Sequence, residues 1–501
     1  MTQVLFGQSY YLRFDAKLFA ARQPYPPLGT LYAASYLRQR GYAVAVFDAM
    51  FAQSEDEWAR ALDQHQPRWA VLYEDSFNYL SKMCLLRMRQ AAFTMIEMAK
   101  ARGCTVIISA SDATDHLAEY FAHGADYIIL GEGEITLGEL IDALAGRATQ
   151  DLSEICGLAF RNDAGTITRT TPRDYIRDLD TLPFPAWDLV AVPDYRRIWR
   201  ERHGYFSMNL VTTRGCPYHC NWCAKPIYGQ RYNVRTPENV VAEIEILKEQ
   251  YHPDHFEFAD DIFGLKPGWI EQFAQLVVEK QVRTPFKCLM RADLVNERVA
   301  DALARAGCQI VWMGAESGSQ KILDAMDKGT RVEQIQAAAE CLHQAGVQVA
   351  FFLQYGYRGE DRHDIEQTLQ MVRDGKPDNI GISVSYPLPG TKFYERVQAE
   401  LGEKQNWVDS DDLALLYRGT YSSGFYRVLY GVTHHEFRMR RAWRELERIA
   451  RHPSKWRIYY LRQLASIPVH ALELAFARRK LNALEKRDSP ARTIQSLAMK
   501  A

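Results

Sequence analysis

Short apolar runs alternate with stretches of helical period through most of the chain. Near its start, QVLFG, AVAVFDA, WAVLYED and TVIISA are rich in β-branched and aromatic residues, and YFAHGADYIIL ends in another such run. Runs of this length predict buried strands. Amphipathic stretches lie between them. In PPLGTLYAASYLRQRGY, Leu28, Leu31, Ala34 and Leu37 share one face and Gly41 closes the helix. SEDEWARALDQHQP opens with a serine cap and acids in its first turn. RQAAFTMIEMAKARGC and GEGEITLGELIDAL continue the series. Regular alternation predicts an α/β domain over residues 1–148, built on a doubly wound parallel sheet. Ligands of such sheets sit at the carboxyl ends of the strands. Those ends are Gly7-Gln8-Ser9, Asp48-Ala49, Glu74-Asp75-Ser76, Ser109-Ala110-Ser111 and Gly131-Glu132-Gly133, with Ser9, Asp48, Ser76, Ser111, Gly131, Glu132 and Gly133 as the candidate positions.

The pattern changes over residues 149–203. GLAFRNDAGTITRT predicts a hairpin turning at Asp163-Ala164-Gly165. Pro172, Pro183, Pro185 and Pro193 then suit an extended segment crossing between domains. A second β–α series fills residues 204–404. MNLVTTRGC reads as its first strand, and TPENVVAEIEILKEQYH as a helix capped by Thr236 with Pro237 at its first position. Later strands end at Asp260 and Asp261, at Arg291 and Asp293, and at Glu316. VQVAFFLQYGYRGE and NIGISVSYPLPGT bring the units to six. This predicts a partial (β/α)6 barrel with its chemistry at the carboxyl ends of the strands.

Residues 405–501 read as a helical, basic region. From Gly431 onward there are 16 Lys/Arg against 6 Asp/Glu, although the whole chain carries a net charge of only -1. WRIYYLRQLASIPVHALELAFARRKLNALEKR predicts one or two amphipathic helices with Leu461, Leu464, Leu472 and Phe476 on one face. Such a helix can lie on an anionic membrane, where a lipid-like substrate would suit it, or pack on the barrel with its basic side in water. The near-zero total charge gives no reason to expect nucleic acid as a partner. No run is long and apolar enough to span a bilayer, and no secretory pattern opens the chain, so a cytoplasmic location is expected.

The candidate chemistry lies in TTRGCPYHCNWCAKPIYG. Cys216, Cys220 and Cys223 are separated by three residues and then two, with Trp222 just before the third. Three thiolates on one loop can hold three irons of a [4Fe-4S] cluster and leave the fourth iron open for chemistry. A structural zinc site normally needs a second pair of ligands, and none is visible. Cys84, Cys104, Cys156, Cys288, Cys308 and Cys341 are scattered and read as small buried hydrophobes.

This loop resembles the signature of the radical SAM superfamily. FADDIFG, RADLVNERVADALARAGC, MGAESGSQKILDAMDKGT and SYPLPGTKFYE are similar to the family's later segments. The first half resembles the cobalamin-binding domain that precedes many such barrels, through PPLGTLYAASYLRQRGYAVAVFDA, DATDHLAEYFAHGADYIILGEGEITLGELIDAL and the linker DLDTLPFPAWDL. The resemblance implies a cluster on the three cysteines and S-adenosylmethionine (SAM) held by Glu316, Ser317, Arg291, Asp261, Gly314 and Gly318. It also implies cobalamin at the sheet positions named above, and a donor such as flavodoxin or ferredoxin. The Asp-x-His-x-x-Gly motif that supplies a histidine to cobalt is absent. The expected reaction is C-methylation of a small molecule at an unactivated carbon. Radical oxygenation or cyclisation of a tetrapyrrole-like substrate, as in the anaerobic magnesium-protoporphyrin monomethyl ester cyclase, stays open. So does a non-catalytic sensor of cobalamin or of the cluster. Tyr10, Tyr11, Phe77, Tyr79, Tyr218 and Tyr386 are candidate cavity aromatics that would serve equally as core.

Overall fold

The computed structural model describes residues 2–83, 85–223, 228–451 and 459–488. The N-terminal series forms a seven-stranded sheet in the order β2-β1-β3-β4-β5-β6-β7. Its strands are β1 (Val4–Gly7), β2 (Val44–Val46), β3 (Trp69–Tyr73), β4 (Thr105–Ser109), β5 (Tyr127–Ile129), β6 (Leu158–Arg161) and β7 (Ile167–Arg169). β1 to β5 pair in parallel, and β6 and β7 are antiparallel. The GLAFR hairpin is therefore an edge of this sheet and not part of a free connector. Separate apolar cores cover the two faces of the sheet, one around Trp58, Leu72 and Ile108, the other around Phe6, Val71 and Ile107. This burial on both faces explains the unbroken apolar runs.

The second series forms a six-stranded, all-parallel sheet in the order β15-β14-β13-β12-β11-β8. Here β8 is Ser207–Leu210, β11 His255–Phe258, β12 Phe286–Met290, β13 Cys308–Glu316, β14 Gln348–Tyr355 and β15 Asn379–Val384. MNLVTTRGC does not run on as one strand. After β8 the chain turns off as β9 (Thr213–Arg214) to pair with β10 (Asn233–Val234). Asp260 causes the turn: its buried carboxylate accepts from Thr212 N and Oγ1 at 2.7 Å and from Thr213 N at 2.8 Å.

The proline-rich stretch also differs from expectation. Pro193 lies in the first turn of a helix, Val192–His203, where its missing N–H costs nothing. This helix straps the two sheets together. Tyr195 donates to Asp48 at 2.5 Å and the Trp199 ring N–H to the Pro24 carbonyl at 2.7 Å. One core accordingly runs from the barrel through Trp199 and Tyr195 to Leu28, Leu31 and Phe77. The segment after the barrel returns to the N-terminal sheet, with Leu86 N donating to Trp407 O at 2.9 Å and Ser410 Oγ to Asp15 at 2.7 Å.

Two long helices, Ser423–Arg451 and Tyr459–Asp488, form an antiparallel pair. Trp456 lies outside the described residues, as does the Leu461 side chain. Leu472 and Phe476 do not share a packed face: they are 62% and 67% exposed, while Leu474 and Leu481 are buried. The packed stripe is Leu474, Ala477, Leu481 and Leu484. This seam of alternating three- and four-residue steps is what a long antiparallel neighbour selects.

Candidate active site between barrel mouth and sheet edge

The cysteine loop starts two residues after β9 begins, and its first turn requires Gly215. Its φ is 83°, and a Cβ there would overlap the carbonyl oxygens of Arg231 and Tyr228. Asn221 anchors the far end. Its amide donates to Ala325 O and to Asp327, each at 2.8 Å, and its oxygen accepts from the Tyr357 hydroxyl at 2.7 Å. Cys216 and Cys220 are half-buried. Cys223 is exposed. Burial pushes the Cys216 thiol up to about 11. Burial and then the neighbouring Cys220 charge push Cys223 up to about 12. Burial and mutual charge thus favour the protonated thiols, and a cationic metal centre is what would favour the thiolates.

Arg291 follows β12 and reaches this loop. Its guanidinium lies 3.6 Å over the Tyr218 ring, and Nη1 stands 4.0 Å from Cys220 Sγ. Asp293 holds the same guanidinium by two bonds, 2.9 and 3.1 Å, and Thr330 Oγ1 accepts a third at 3.0 Å. β13 ends at Glu316, a non-glycine residue with φ 57° next to a register shift. That backbone is costly for an L-residue and turns the buried carboxylate to Lys328 Nζ at 3.0 Å. Gly314 completes the cradle: a Cβ there would lie 2.7 Å from both Glu316 Oε1 and Lys328 Nζ. Ser317 and Gly318, by contrast, are used in packing. The Ser317 hydroxyl lies 3.1 Å from Thr368 Oγ1, Gly318 N donates to the same oxygen at 3.0 Å, and a Cβ on Gly318 would overlap the Gln367 carbonyl.

The N-terminal sheet meets this mouth through two ionic contacts. Buried Lys82, in the short helix Tyr79–Lys82 after β3, reaches Asp261 at 2.5 Å. Arg214, one residue before Gly215, is buried between Glu132 at 2.5 Å and Glu134 at 2.7 Å. The rings of Tyr32, Phe77 and Tyr228 surround it at 5.0–5.6 Å. One guanidinium here faces two buried carboxylates, and burial pushes Glu132 above the ordinary carboxylate range despite Arg214. Desolvating each charge costs several kcal/mol, so the cluster depends on that one cation. It ties the start of the cysteine loop to the helix that follows β5. Tyr79 is 53% exposed; desolvation, and then the charges of Cys223 and Glu316, raise its hydroxyl pKa.

At the sheet edge the polar groups are of another kind. Gln8 Nε2, Tyr10 Oη, Glu74 Oε2, Ser81 Oγ and Ser111 Oγ are buried and have no hydrogen-bond partner among the described residues. They lie just past the carboxyl ends of β1, β3 and β4, or on the short helix after β3. Burial pushes Glu74 up to about 7, against the hydrogen bond that its Oε1 accepts from Ser9 N at 2.7 Å. Of the expected sheet positions, Ser111 belongs to this group and Ser9 is buried as the donor to Glu74. Ser76 is half-buried beside Gly29. Asp48 and Glu132 are engaged by Tyr195 and Arg214. Gly131 has φ 80° in the turn after β5, and a Cβ on Gly133 would meet the Tyr73 hydroxyl at 2.6 Å. Lys328, Lys82 and Arg214 escape a reading of the sequence, whereas Glu74 stands at an expected strand end. No periodicity marks a lone cation whose partner lies elsewhere in the chain.

Residues 210–372 match the Radical SAM superfamily. The chain is 26% identical over 453 residues to an uncharacterised methyltransferase of Pyrococcus horikoshii, covering 85% of this chain and 94% of that one. It is 25% identical over 399 residues to the anaerobic magnesium-protoporphyrin IX monomethyl ester cyclase of Rubrivivax gelatinosus, covering 77% and 68%. Its fold is similar to that of the radical SAM methyltransferase TsrM of Kitasatospora setae, solved with cobalamin and a [4Fe-4S] cluster. That match has a TM-score of 0.65 and 19% identity, over 79% of this chain and 78% of that one.

Proposed function

We propose that this chain, built around a radical SAM domain, moves a methyl group onto an unactivated carbon of a small molecule, with cobalamin seated at the edge of its N-terminal sheet. The domain implies that Cys216, Cys220 and Cys223 hold a [4Fe-4S] cluster and that SAM binds beside it. When bound, these groups supply a 5′-deoxyadenosyl radical, and cobalamin supplies the methyl group. The chain's own residues bind, orient and exclude water. Glu316 offers an anionic acceptor to an ammonium or to ribose hydroxyls, and Arg291 and Lys328 offer cationic donors to a carboxylate. A zwitterion such as the methionyl end of SAM is complementary to that set. The Arg214 and Lys82 contacts hold the sheet over the mouth.

The observation that carries the cobalamin reading is the set of five orphaned buried atoms at the sheet edge. Buried donors and acceptors without partners cost free energy unless a ligand satisfies them. A broad ligand rich in amides would do so. No histidine is required, in keeping with the missing cobalt-ligand motif.

Anaerobic reconstitution with iron, sulfide, cobalamin, SAM and a one-electron donor of flavodoxin or ferredoxin type tests this reading. The wild type is expected to retain one cobalamin per chain and to form 5′-deoxyadenosine, and Cys220→Ala to form none. With methyl-labelled SAM and an extract as substrate source, label in a carbon-bound methyl group supports methylation. A new ring or inserted oxygen favours the cyclase-like reaction, and retention of cofactor without deoxyadenosine favours a sensor. Contact with an anionic membrane is supported by exposed Val469, Leu472 and Phe476 on the basic C-terminal helix. No helix among the described residues is long and apolar enough to cross one. Flotation with phosphatidylglycerol vesicles checks that contact.

A further inference from the structure

The C-terminal helix pair carries a second constellation, made of residues absent from the radical site. His435 projects from Ser423–Arg451. His470 and Glu473, three residues apart and so on one face, project from Tyr459–Asp488. The His435 and His470 Nδ1 atoms are 3.4 Å apart, and Glu473 Oε2 lies 2.9 Å from the first and 3.5 Å from the second. A tetrahedral zinc ion with ligands at about 2.0–2.1 Å separates them by roughly 3.3–3.4 Å. The three distances bracket that value, so an ion fits without rearrangement of the helices.

Hydrogen bonding satisfies the three atoms less well. Two imidazole nitrogens facing each other can share one proton, and the carboxylate then competes for it. A cation satisfies all three at once. Neutral imidazoles with a carboxylate are ligands of the zinc class. We propose that His435, His470 and Glu473 form a divalent metal site of zinc type, with water in its fourth position, that staples the C-terminal helix pair.

Its place in the pair suits a staple. Both histidines are half-buried at the seam and Glu473 stands at its solvent side, which leaves an entry path. Pro468 lies inside the second helix just before His470 and removes a backbone hydrogen bond there. Among the described residues the pair is also tied by Glu436 to Arg478 at 2.7 Å, and Ser422, just before the first helix, meets Asp488 at 2.9 Å through its N–H and Arg487 at 3.4 Å. The metal would hold the helix at its weakest turn.

The test uses the full chain with its cluster reconstituted, so that the three cysteines are occupied. Zinc is titrated against a chromophoric chelator, with elemental analysis for stoichiometry. The wild type should bind one zinc more per chain than His470→Ala, and Glu473→Gln should weaken that zinc by at least about tenfold. Added zinc should raise the melting temperature of the wild type alone, with deoxyadenosine formation unchanged in the variants. Equal zinc content and affinity in wild type and Glu473→Gln would overturn the site. Glu473 is exposed, so its variant decides even where His470→Ala fails to fold.

Discussion

The barrel mouth and the sheet edge are both carboxyl ends of parallel strands, yet they treat charge differently. At the mouth, Glu316 has Lys328, Arg291 has Asp293 and Asp261 has Lys82. At the edge, no ion pair among the described residues reaches Glu74; the acids that act on it, Asp75 and Asp112, are held by backbone N–H groups and by Arg89, and the orphaned Gln8, Tyr10, Ser81 and Ser111 are neutral. Paired charges can be exchanged for those of a zwitterion at little net cost, because each buried ion keeps a partner. Neutral orphaned groups cannot trade partners in that way and gain only when a polar, uncharged ligand arrives. The contrast is what a small charged cosubstrate on one side and a broad neutral cofactor on the other would require.

Removing the charge that couples the two regions should give the largest effect. Arg214→Ala leaves Glu132 and Glu134 buried and unmatched, and is expected to cost about 3–5 kcal/mol in denaturant unfolding. A loss below about 1 kcal/mol would mean that the two regions are not locked together there.

Next comes Glu74→Gln. With its folded value near 7, above the ordinary carboxylate range, Glu74 keeps a proton that the unfolded chain releases. The stability of the wild type, as far as this group governs it, is therefore highest at acid pH and falls as pH rises to about 7. The variant is isosteric and does not titrate. Its unfolding free energy should match the wild type near pH 4.5 and exceed it increasingly toward pH 7, by up to about 3 kcal/mol, read from denaturant melts at each pH. A gap constant with pH would show that Glu74 is charged in the fold and would erase the contrast between the two edges.

The smallest effect is expected at the mouth itself. Glu316→Gln removes one charge-assisted contact and should weaken SAM binding roughly 10–100-fold, with the cluster absorbance intact. Unchanged binding by equilibrium dialysis would place SAM elsewhere.

Much of the architecture is legible along the chain because it is periodic. The runs VLFG, WAVLY and TVIIS are strands where the apolar pattern places them, and helix Pro237–Tyr251 begins at the expected Thr236 cap. The stretches with competing readings are less legible. Pro193 could end an extended segment or start a helix, and only the pocket for Tyr195 and Trp199 chooses the helix. In the last helix, Leu472 and Phe476 or Leu474 and Leu481 could have formed the packed stripe. The neighbouring helix selects the second pair.

The sequence by itself determined the three-cysteine loop, the two β–α series and which side chains stand at the strand ends. These follow from spacing and from alternation, which are local properties of the chain. The tertiary structure alone decided which strand-end residues are free for a ligand. Glu132 meets Arg214 across 82 positions and Lys82 meets Asp261 across 179. No local rule links residues so far apart; the packing of one sheet over the other brings them together, and burial then makes each pair or orphan count.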